Sequence, residues 1–413
     1  MAIEPLTHLP VQPWMRHDGA QKVMSALNRV RSGSARYVGG CVRNALLGYP
    51  VDDIDIATQL TPDVVTQVLK EKGVAVHPTG LDHGTVTAVA SGRTYEITSL
   101  RRDVETDGRR AVIEFTEDWA EDAGRRDFHL NALYADNWGR LYDPTGEGIE
   151  DLRARRIRFI GDADTRLRED YLRILRFFRF SAWYGSGTPN MEGLAACTRQ
   201  RQGLESVSAE RIWMELKKLF AARDPRRSVE AMAKTGVLSI VLPDSYGLEL
   251  FNQVVEIELR ERYAPDVMVR LISMFSKDIE RVDRTMQQLK MSNKEKKRLR
   301  SATLDRTDFS NQFDDVQFRK VLYRLGRQTF HDRARLAWAA RGDKANNGYW
   351  RDLVQALSEW ERPEFPICGD DVVAVGVKPG PVVGRILKEL EIWWIEQDFP
   401  EDVSFVARRM RQL

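Results

Sequence analysis

The chain has little cysteine and no long hydrophobic run, and each shortage excludes a class of protein. Its three cysteines, Cys41, Cys197 and Cys368, are too few and too far apart for a disulfide scaffold, and none forms a C-x-x-C pair for zinc. We therefore expect reduced, buried thiols. The absence of any run of about 18 apolar residues excludes a membrane-spanning helix. The first sixteen residues contain three prolines and no apolar core of a signal peptide, so the sequence predicts a cytoplasmic protein without a membrane partner.

What the chain does contain is the composition of a globular protein with an uneven charge. Of its 413 residues 42% are hydrophobic and 30% are charged, and the length suggests about two to three domains. Residues 281–350 hold 17 lysines or arginines against 8 acids, whereas residues 351–413 hold 8 against 12. The late basic segment predicts a surface that binds a polyanion such as nucleic acid. A solvated helix face would give the same counts.

The hydrophobic pattern changes along the chain. Up to about residue 133, short β-branched or alternating runs with Gly and Pro between them predict strands separated by helices. From about residue 164 the apolar residues recur at spacings of three and four, which predicts helices almost throughout. The sequence therefore predicts an α/β N-terminal region followed by an all-α C-terminal half, α+β overall. The predicted strands are 37–42, 54–57, 85–90 and 94–100.

Two carboxylates follow a glycine pair near the N terminus. Gly39 and Gly40 end a predicted strand, where backbone N–H groups can approach a phosphate and Arg43 could add charge. Asp53 and Asp55 are separated by one residue, so on a strand both would face one side. Such a pair, completed by substrate phosphates, suits Mg²⁺. An exposed acidic loop is the alternative, and the glycine pair upstream favours the metal site.

Other polar residues extend this candidate site. Glu96 is the only carboxylate in the predicted strand 94–100 and is a candidate third metal ligand. Arg126, Asp127 and Asn131 combine groups that suit a triphosphate and a ribose, because arginine binds phosphate oxygens and a carboxylate accepts from sugar hydroxyls. A surface cluster of ion pairs is the alternative for this segment.

A later segment, predicted as one helix, carries an acid and a row of arginines. Asp170 and Arg173 would be neighbours three residues apart, and Arg173, Arg176 and Arg179 would form one ridge. A fixed carboxylate beside a guanidinium offers an acceptor and a donor, which match the Watson–Crick edges of C and A and reject U and G. An intrahelical salt bridge worth about 0.3–0.5 kcal/mol is the alternative. The three arginines on one face favour a bound polyanion.

Together these motifs resemble the CCA-adding tRNA nucleotidyltransferases of the bacterial and eukaryotic class, which belong to the DNA polymerase β-like nucleotidyltransferase superfamily. The resemblance is strong over 36–220 and faint beyond. Two positions depart from the family's pattern, Asn44 for an aspartate and His129 for a threonine. The matching segments occur in the family's order at 39–48, 53–58, 125–133, 169–173 and 208–216.

The resemblance implies addition of C, C and A to the 3′ end of tRNA from CTP and ATP, without a template and with release of diphosphate. It implies two Mg²⁺ ions on the catalytic residues Asp53 and Asp55. One would lower the pKa of the RNA 3′-hydroxyl, and the other would neutralise the triphosphate. The resemblance also implies a set of nucleotide-binding residues, which are Gly39, Gly40, Arg43, Arg126, Asp127, Asn131, Asp170, Arg173, Arg176 and Arg179.

The resemblance also implies a division of the chain and a product. Residues 1–140 would form the polymerase β-like catalytic head, 141–225 a helical neck that binds the base, and 226–413 a helical body and tail that bind tRNA. In the family a flexible loop reorients the templating pair from C to A, and enzymes that add only CC have a shortened loop. Here the loop looks complete, which favours full CCA addition. Its candidate residues are Arg102, Asp103, Gly108 and Arg109.

Other functions remain open at this point. The chain could add only A or make poly(A) tails, or it could be a catalytically silent RNA-binding protein. Some relatives carry an HD phosphohydrolase tail, which needs several histidine and aspartate ligands. Past residue 220 the only histidine is His331. We expect the His331-Asp332 dipeptide to lie on a helix surface and do not expect that activity.

Overall fold

The computed structural model describes residues 7–77, 80–106, 111–245, 247–275, 278–309 and 312–412. The chain divides into two compact units, Met1–Pro243 and Asp244–Leu413. In the described residues every strand lies in the first unit, and the second is helical. This confirms the predicted α/β region followed by an all-α half. The finer division into head, neck and body stays a prediction.

A mixed β-sheet forms the centre of the first unit. Its strands, together with those of a separate ribbon, are β1 Thr7–His8, β2 Ala35–Val38, β3 Ile54–Thr58, β4 Ala75–His77, β5 Thr85–Ala90, β6 Arg93–Ser99, β7 Arg101–Thr106, β8 Ala111–Phe115, β9 Tyr134–Ala135 and β10 Arg140–Tyr142. The sheet order is β1-β10-β9-β2-β3-β6-β5-β4, and β7 pairs only with β8. Among the described strands, only β3 and β6 are parallel neighbours. The strands that carry Asp55 and Glu96, two of the three candidate metal ligands, are therefore adjacent.

Helices cover the sheet and continue beyond it in the first unit. They are α1 Pro13–Arg16, α2 Asp18–Val30, α3 Gly40–Leu47, α4 Pro62–Glu71, α5 Trp119–Gly124, α6 Gly148–Arg153, α7 Ala163–Glu169, α8 Leu172–Tyr184, α9 Met191–Gln200, α10 Ala209–Phe220, α11 Arg226–Lys234 and α12 Val237–Val241. The long α8 packs against α10 and α11. Phe128 joins the strand region to this group, because its ring lies 5.0 Å from Phe159 and 5.1 Å from Phe180 between centroids.

The second unit is built from helices alone in its described residues. They are α13 Glu249–Arg260, α14 Val267–Ile272, α15 Ile279–Gln288, α16 Asn293–Leu304, α17 Asp315–Arg341, α18 Asn347–Glu359, α19 Gly369–Ala374, α20 Pro381–Glu396 and α21 Val403–Met410. Gly326 interrupts α17 with φ 73° and ψ 157°, a conformation open to glycine. Trp394 of α20 is buried against Tyr323 and Phe399. No helix among the described residues is long and apolar enough to cross a membrane.

Most local predictions agree with these elements, and three do not. The predicted strands 54–57, 85–90 and 94–100 correspond to β3, β5 and β6. The strand predicted over 37–42 is wrong beyond Val38, because Gly39 turns the chain with φ 70° and α3 begins at Gly40. The helix predicted through Asp170 is broken there. Of the cysteines expected to be buried, Cys368 is exposed.

Candidate active site

The acid pair lies at the start of the central strand β3, beside the glycine turn. Asp55 is in β3 and is partly buried, whereas Asp53 precedes the strand and is exposed. A Cβ atom placed on Gly39 would lie 4.0 Å from Oδ2 of Asp55 and 3.7 Å from Nη1 of Arg126. The turn, a carboxylate and a guanidinium therefore share one small region, as the sequence predicts.

Glu96 faces this region from the neighbouring strand. In the parallel ladder of β3 and β6, Asp55 is directly in register with Glu96. Burial raises the pKa of Asp55 to about 6, and the charges of Glu96 and Asp53 add to that effect against Arg126 and Arg43. Carboxylates so placed disfavour their own ionisation, and a divalent cation relieves the repulsion. In this structure, however, the carboxylate oxygens of Asp53, Asp55 and Glu96 do not all lie within 4.8 Å of one another.

A buried carboxylate that the sequence analysis did not single out holds Arg126. Asp122 accepts hydrogen bonds from Nε of Arg125 at 2.8 Å, Nη2 of Arg126 at 3.0 Å and the hydroxyl of Tyr134 at 2.7 Å. Burial alone would raise the pKa of Asp122, but the two guanidiniums and the hydroxyl hold it at about 2. The sequence does contain a signal for this contact, because Asp122 precedes the two arginines by three and four residues, a spacing at which helical ion pairs form.

Arg43, Asn131 and Asp127 form a connected chain of hydrogen bonds. Nη1 of Arg43 donates to Oδ1 of Asn131 at 2.5 Å, and Nδ2 of Asn131 donates to Oδ1 of Asp127 at 2.9 Å. Arg43 also donates to the Tyr184 hydroxyl at 2.8 Å and to Oδ1 of Asn44 at 2.8 Å. Asn44, where the family has an aspartate, thus supplies a neutral acceptor to the same guanidinium.

The next two arginines of the predicted ridge are paired with acids from other elements. Arg176 donates to Oδ2 of Asp127 from Nε at 2.7 Å and from Nη2 at 2.6 Å. Arg179 donates from Nε to Oε2 of Glu215 at 2.6 Å. Both acids are buried. These pairs tie α8 to the segment after α5 and to α10, and they neutralise charge that the sequence analysis assigned to a polyanion.

The predicted templating pair stands at a break between two helices. α7 ends at Glu169, Asp170 is extended with φ −155° and ψ 102°, and its Oδ1 accepts from the backbone N–H of Leu172 at 3.1 Å. This local bond competes with continuation of the helix. Oδ2 of Asp170 accepts from Nη2 of Arg211 at 2.7 Å, whereas Arg173 donates to Oε2 of Glu169 at 2.5 Å. Arg211, from the segment matched at 208–216, is therefore the partner that the spacing argument missed.

The loop predicted to control the passage from C to A is described in part. Arg102 of β7 is exposed and donates to Oε2 of Glu114 in β8 at 3.0 and 2.7 Å. Asp103 also lies in β7. Gly108 and Arg109 lie outside the described residues.

Two other groups in the described residues bring three possible metal-binding side chains within 4.8 Å, His129 with Glu147 and Asp151, and Asp266 with His331 and Asp332. In the second group Arg298 donates to Asp266 at 2.5 Å and to Asp332 at 2.7 Å. Asp332 is fully buried. The expectation that the His331-Asp332 dipeptide lies on a helix surface is therefore wrong for Asp332, because this ion pair draws the carboxylate inward.

Comparisons with known proteins match the chain from the strand region to near its C terminus. Residues 35–158 match a poly A polymerase head domain, 191–246 an RNA and SrmB binding site of polymerase A, and 265–403 a tRNA nucleotidyltransferase domain 2. The chain is 33% identical over 382 residues to the mitochondrial CCA tRNA nucleotidyltransferase 1 of Mus musculus, a match that covers 90% of this chain and 85% of that protein. The chain belongs to the CCA tRNA nucleotidyltransferase family.

Further relatives agree with this membership. A CCA-adding enzyme of Streptococcus gordonii is 30% identical over 398 residues, covering 95% of this chain and 97% of the relative. The CCA-adding enzyme of Bacillus stearothermophilus, solved in complex with CTP, has the same fold with a TM-score of 0.75 at 24% identity, covering 97% and 98% of the two chains. The resemblance seen over 36–220 is thus confirmed, and membership of the CCA tRNA nucleotidyltransferase family extends to the second unit.

Proposed function

We propose that this nucleotidyltransferase adds C, C and A to the 3′ end of tRNA, using CTP and ATP and releasing diphosphate without a nucleic-acid template. The observation that carries the proposal is the meeting of Asp55, Glu96, the Gly39 turn and Arg126 at one edge of β3. Family membership supplies the reaction class. The buried hydrogen bonds that lead from Arg43 to Arg176 connect this edge to α8, where the base would be read.

Asp53 and Asp55 are the residues that would hold two Mg²⁺ ions, with Glu96 as a candidate third ligand. Bound there, the ions would lower the pKa of the RNA 3′-hydroxyl and offset the charge of the triphosphate. The donor set fits such ions, because it is made of carboxylates and the charge of Glu96 opposes ionisation of Asp55. Gly39 lacks the side chain that would otherwise fill the space between Asp55 and Arg126.

We assign phosphate binding first to Arg126 and to the glycine turn. Asp122 already fixes Arg126, so this guanidinium can meet a triphosphate without reorganising. Asp127 is less free to bind ribose, because Phe128, Asn131 and Arg176 each donate to its oxygens. Asp127 and Asn131 therefore act in this proposal mainly by positioning Arg43 and Arg176, and a direct ribose contact requires one of these bonds to open.

Base selection is proposed for Asp170 and Arg173. Arg211 holds one oxygen of Asp170, which orients the carboxylate to accept from the amino group of C or A. Arg173 supplies the donor for the ring nitrogen. U and G present a carbonyl where the amino group is needed, so each would leave Asp170 without its donor. The loop at 101–110 would help this pair pass from C to A, as the family resemblance implies.

Contacts with the tRNA backbone are proposed for lysines of the second unit. Lys294, Lys296 and Lys297 on α16 make no ion pair or side-chain hydrogen bond with any described residue. By contrast, Arg298 and Arg300 of the same helix pair with acids. Unpaired ammonium groups are the ones that can release counterions from an RNA phosphate, so binding should weaken as salt rises.

The reaction is tested by sequencing the products. Purified protein and Mg²⁺ would be incubated with tRNA transcripts that lack CCA, lack only the terminal A, or are complete. Each nucleoside triphosphate would be supplied singly and then in a mixture. Restoration of CCA from CTP and ATP, followed by arrest, supports the proposal. Addition of A alone, or growth of a long tail, would assign the chain to the A-adding or poly(A) branch. Binding of tRNA without incorporation would favour a silent RNA-binding protein.

We also propose the cytoplasm as the working compartment. The Mus musculus relative is named mitochondrial, so a second compartment has to be tested. Fractionation of cells that express the full chain separates the two. Recovery with a mitochondrial marker instead of a cytosolic one would contradict this part of the proposal.

A further inference from the structure

A second polar cleft lies among the later helices of the first unit, and none of its lining residues belongs to the candidate active site. It encloses about 420 Å³ between the end of α8, the segment 185–190 and the start of α11. A neighbouring cavity of about 330 Å³ shares Gly187, Thr188, Pro189 and Arg227 with it. Arg227 thus stands where two adjoining spaces meet. Its lining residues include Arg155, Ser181, Arg227 and Ser228.

The start of α11 lines the cleft with two residues whose backbone donors are free. The first intrahelical bond runs from the N–H of Val229 to the carbonyl of Pro225, and the N–H of Arg226 is taken by Oδ1 of Asp224 at 3.2 Å. The N–H groups of Arg227 and Ser228 have no acceptor among the described residues. Donors at the N terminus of a nine-residue helix carry its positive dipole end and favour an anion.

Two hydroxyl groups at the cleft are also without partners. Ser228 is only 3% exposed, lines the cleft and makes no side-chain hydrogen bond with any described residue. Oγ of Ser181 is buried and equally lacks a partner in that part of the chain. A buried hydroxyl without a hydrogen bond is unfavourable. Oγ of Ser181 has almost no accessible surface, so a ligand in the cleft would give a partner to the Ser228 hydroxyl.

The charges at the cleft that are not cancelled by ion pairs are positive. Asp224 is matched by Arg226, which donates to its two oxygens at 2.8 and 2.6 Å. Arg227 has no acidic partner among the described residues, and the polar partner of Arg155 is the neutral hydroxyl of Tyr49 at 3.2 Å. Two guanidiniums therefore remain for a ligand of negative charge.

We infer that this cleft binds a phosphate group. A phosphate offers the several acceptor oxygens that two backbone N–H groups, the Ser228 hydroxyl and the guanidiniums of Arg155 and Arg227 can share, and arginine matches its geometry. The group could belong to an RNA backbone or to a free phosphate or diphosphate ion. The site does not rest on the proposed reaction, because it uses none of the same residues.

The first experiment titrates inorganic phosphate and diphosphate into the metal-free full chain by calorimetry, at constant ionic strength. Arg227→Gln should weaken binding about tenfold or more, because it removes a charge-assisted bond, and Ser228→Ala should weaken it severalfold. Arg153→Gln is the control, since Arg153 is exposed, lies outside the cleft and loses the same charge. All variants keep the acid pair, so any phosphate bound there is common to them.

The second experiment measures tRNA affinity and melting temperature of the same variants. If free phosphate does not bind but Arg227→Gln and Ser228→Ala weaken tRNA binding relative to Arg153→Gln, the ligand is an RNA phosphate. Ser228→Ala should leave the melting temperature unchanged, because the hydroxyl makes no bond in the described residues. Variants that bind phosphate, diphosphate and tRNA as the control does would overturn the inference.

Discussion

Arginines are neutralised by acids in both units, but the two units differ in where those acids lie and in what remains free. Around the acid pair of the first unit, Asp122 holds Arg125 and Arg126 from three and four residues away and leaves Nη1 of Arg126 beside Gly39. In the second unit the basic residues of 281–350 that form ion pairs do so mostly with acids far away in the sequence. Arg319 reaches Asp398 and Arg284 reaches Asp244.

A local excess of basic residues in the sequence is therefore not the same as a charged surface. The 17 basic residues of 281–350 suggested a broad surface that binds a polyanion. Many of them, however, form ion pairs with acids of the second unit. Lys294, Lys296 and Lys297 are among the basic residues that pair with no acid in the described part of the chain. In the first unit the pairing has a different effect, because it holds a few guanidiniums in defined positions around the candidate active site.

The largest effect is expected where the first unit places its acids. Asp53→Asn should reduce nucleotide incorporation by at least about 10³-fold, since a metal-holding carboxylate supplies several kcal/mol of transition-state stabilisation. Binding of tRNA should stay within about twofold. Asp52→Asn, a change of an exposed neighbouring acid, is the control in the same primer-extension assay. Full activity of the Asp53 variant would refute the metal assignment.

The second unit has its own buried carboxylate between arginines, and its loss should affect stability. Glu258 is 2% exposed, accepts from Nε of Arg270 at 2.6 Å and lies 3.1 Å from Nη2 of Arg335. Glu258→Gln leaves two buried guanidiniums short of a counter-charge, which should lower the free energy of unfolding by about 3–5 kcal/mol. Urea denaturation measures it. Glu396→Gln, which removes the exposed partner of Arg324, should cost about 1 kcal/mol or less, and equal losses would contradict the comparison.

Selectivity should depend on the partner of Asp170. Arg211→Gln frees the carboxylate, so the ratio of kcat/KM for CTP and ATP to that for UTP and GTP should fall about 10- to 100-fold, as expected for one charged hydrogen bond. Arg211→Lys should restore part of it. Arg168→Gln, on the exposed side of α7, is the matched control. If only the melting temperature changes, Arg211 is structural and does not orient the base reader.

The ion pairs of Asp122 predict a dependence of stability on pH. Its folded pKa of about 2 lies below the ordinary value of 3.8, so its ionised form stabilises the fold above pH 4 and this contribution disappears as pH falls towards 2. The difference in unfolding free energy between the wild type and Asp122→Asn should therefore shrink by about 2 kcal/mol between pH 5 and pH 2. Denaturation series at both pH values measure it, with Asp52→Asn as the control. A constant difference would contradict the depressed pKa.

The smallest effect is expected from the free lysines. Changing Lys294, Lys296 and Lys297 together to Gln should weaken tRNA binding by roughly tenfold or less and reduce the slope of log affinity against log salt by about 1 for each lost phosphate contact. The control changes three paired arginines, Arg300, Arg319 and Arg324, to Gln. If both sets weaken binding equally, the net charge of the segment matters and not the unpaired groups.

Much of the fold and part of the site could be predicted because they depend on local patterns. Alternation and helical spacing identified β5, β6 and the helical half, and the one-residue spacing of Asp53 and Asp55 identified the acid pair. The wrong predictions of element boundaries also have local causes. Gly39 ended a strand earlier than expected, and the Oδ1 bond of Asp170 to Leu172 interrupted a helix whose apolar pattern continues.

Local patterns in the sequence were enough to predict the order of the main elements, the family and several polar residues of the candidate active site, since turn residues and hydrophobic periods act over a few positions. Which charges meet follows from the packing of the folded chain. Asp55 faces Glu96 through the parallel register of β3 and β6, and Asp170 binds Arg211 across 41 residues. Such pairs depend on the packing of whole elements, and a guanidinium takes whichever carboxylate that packing brings within reach.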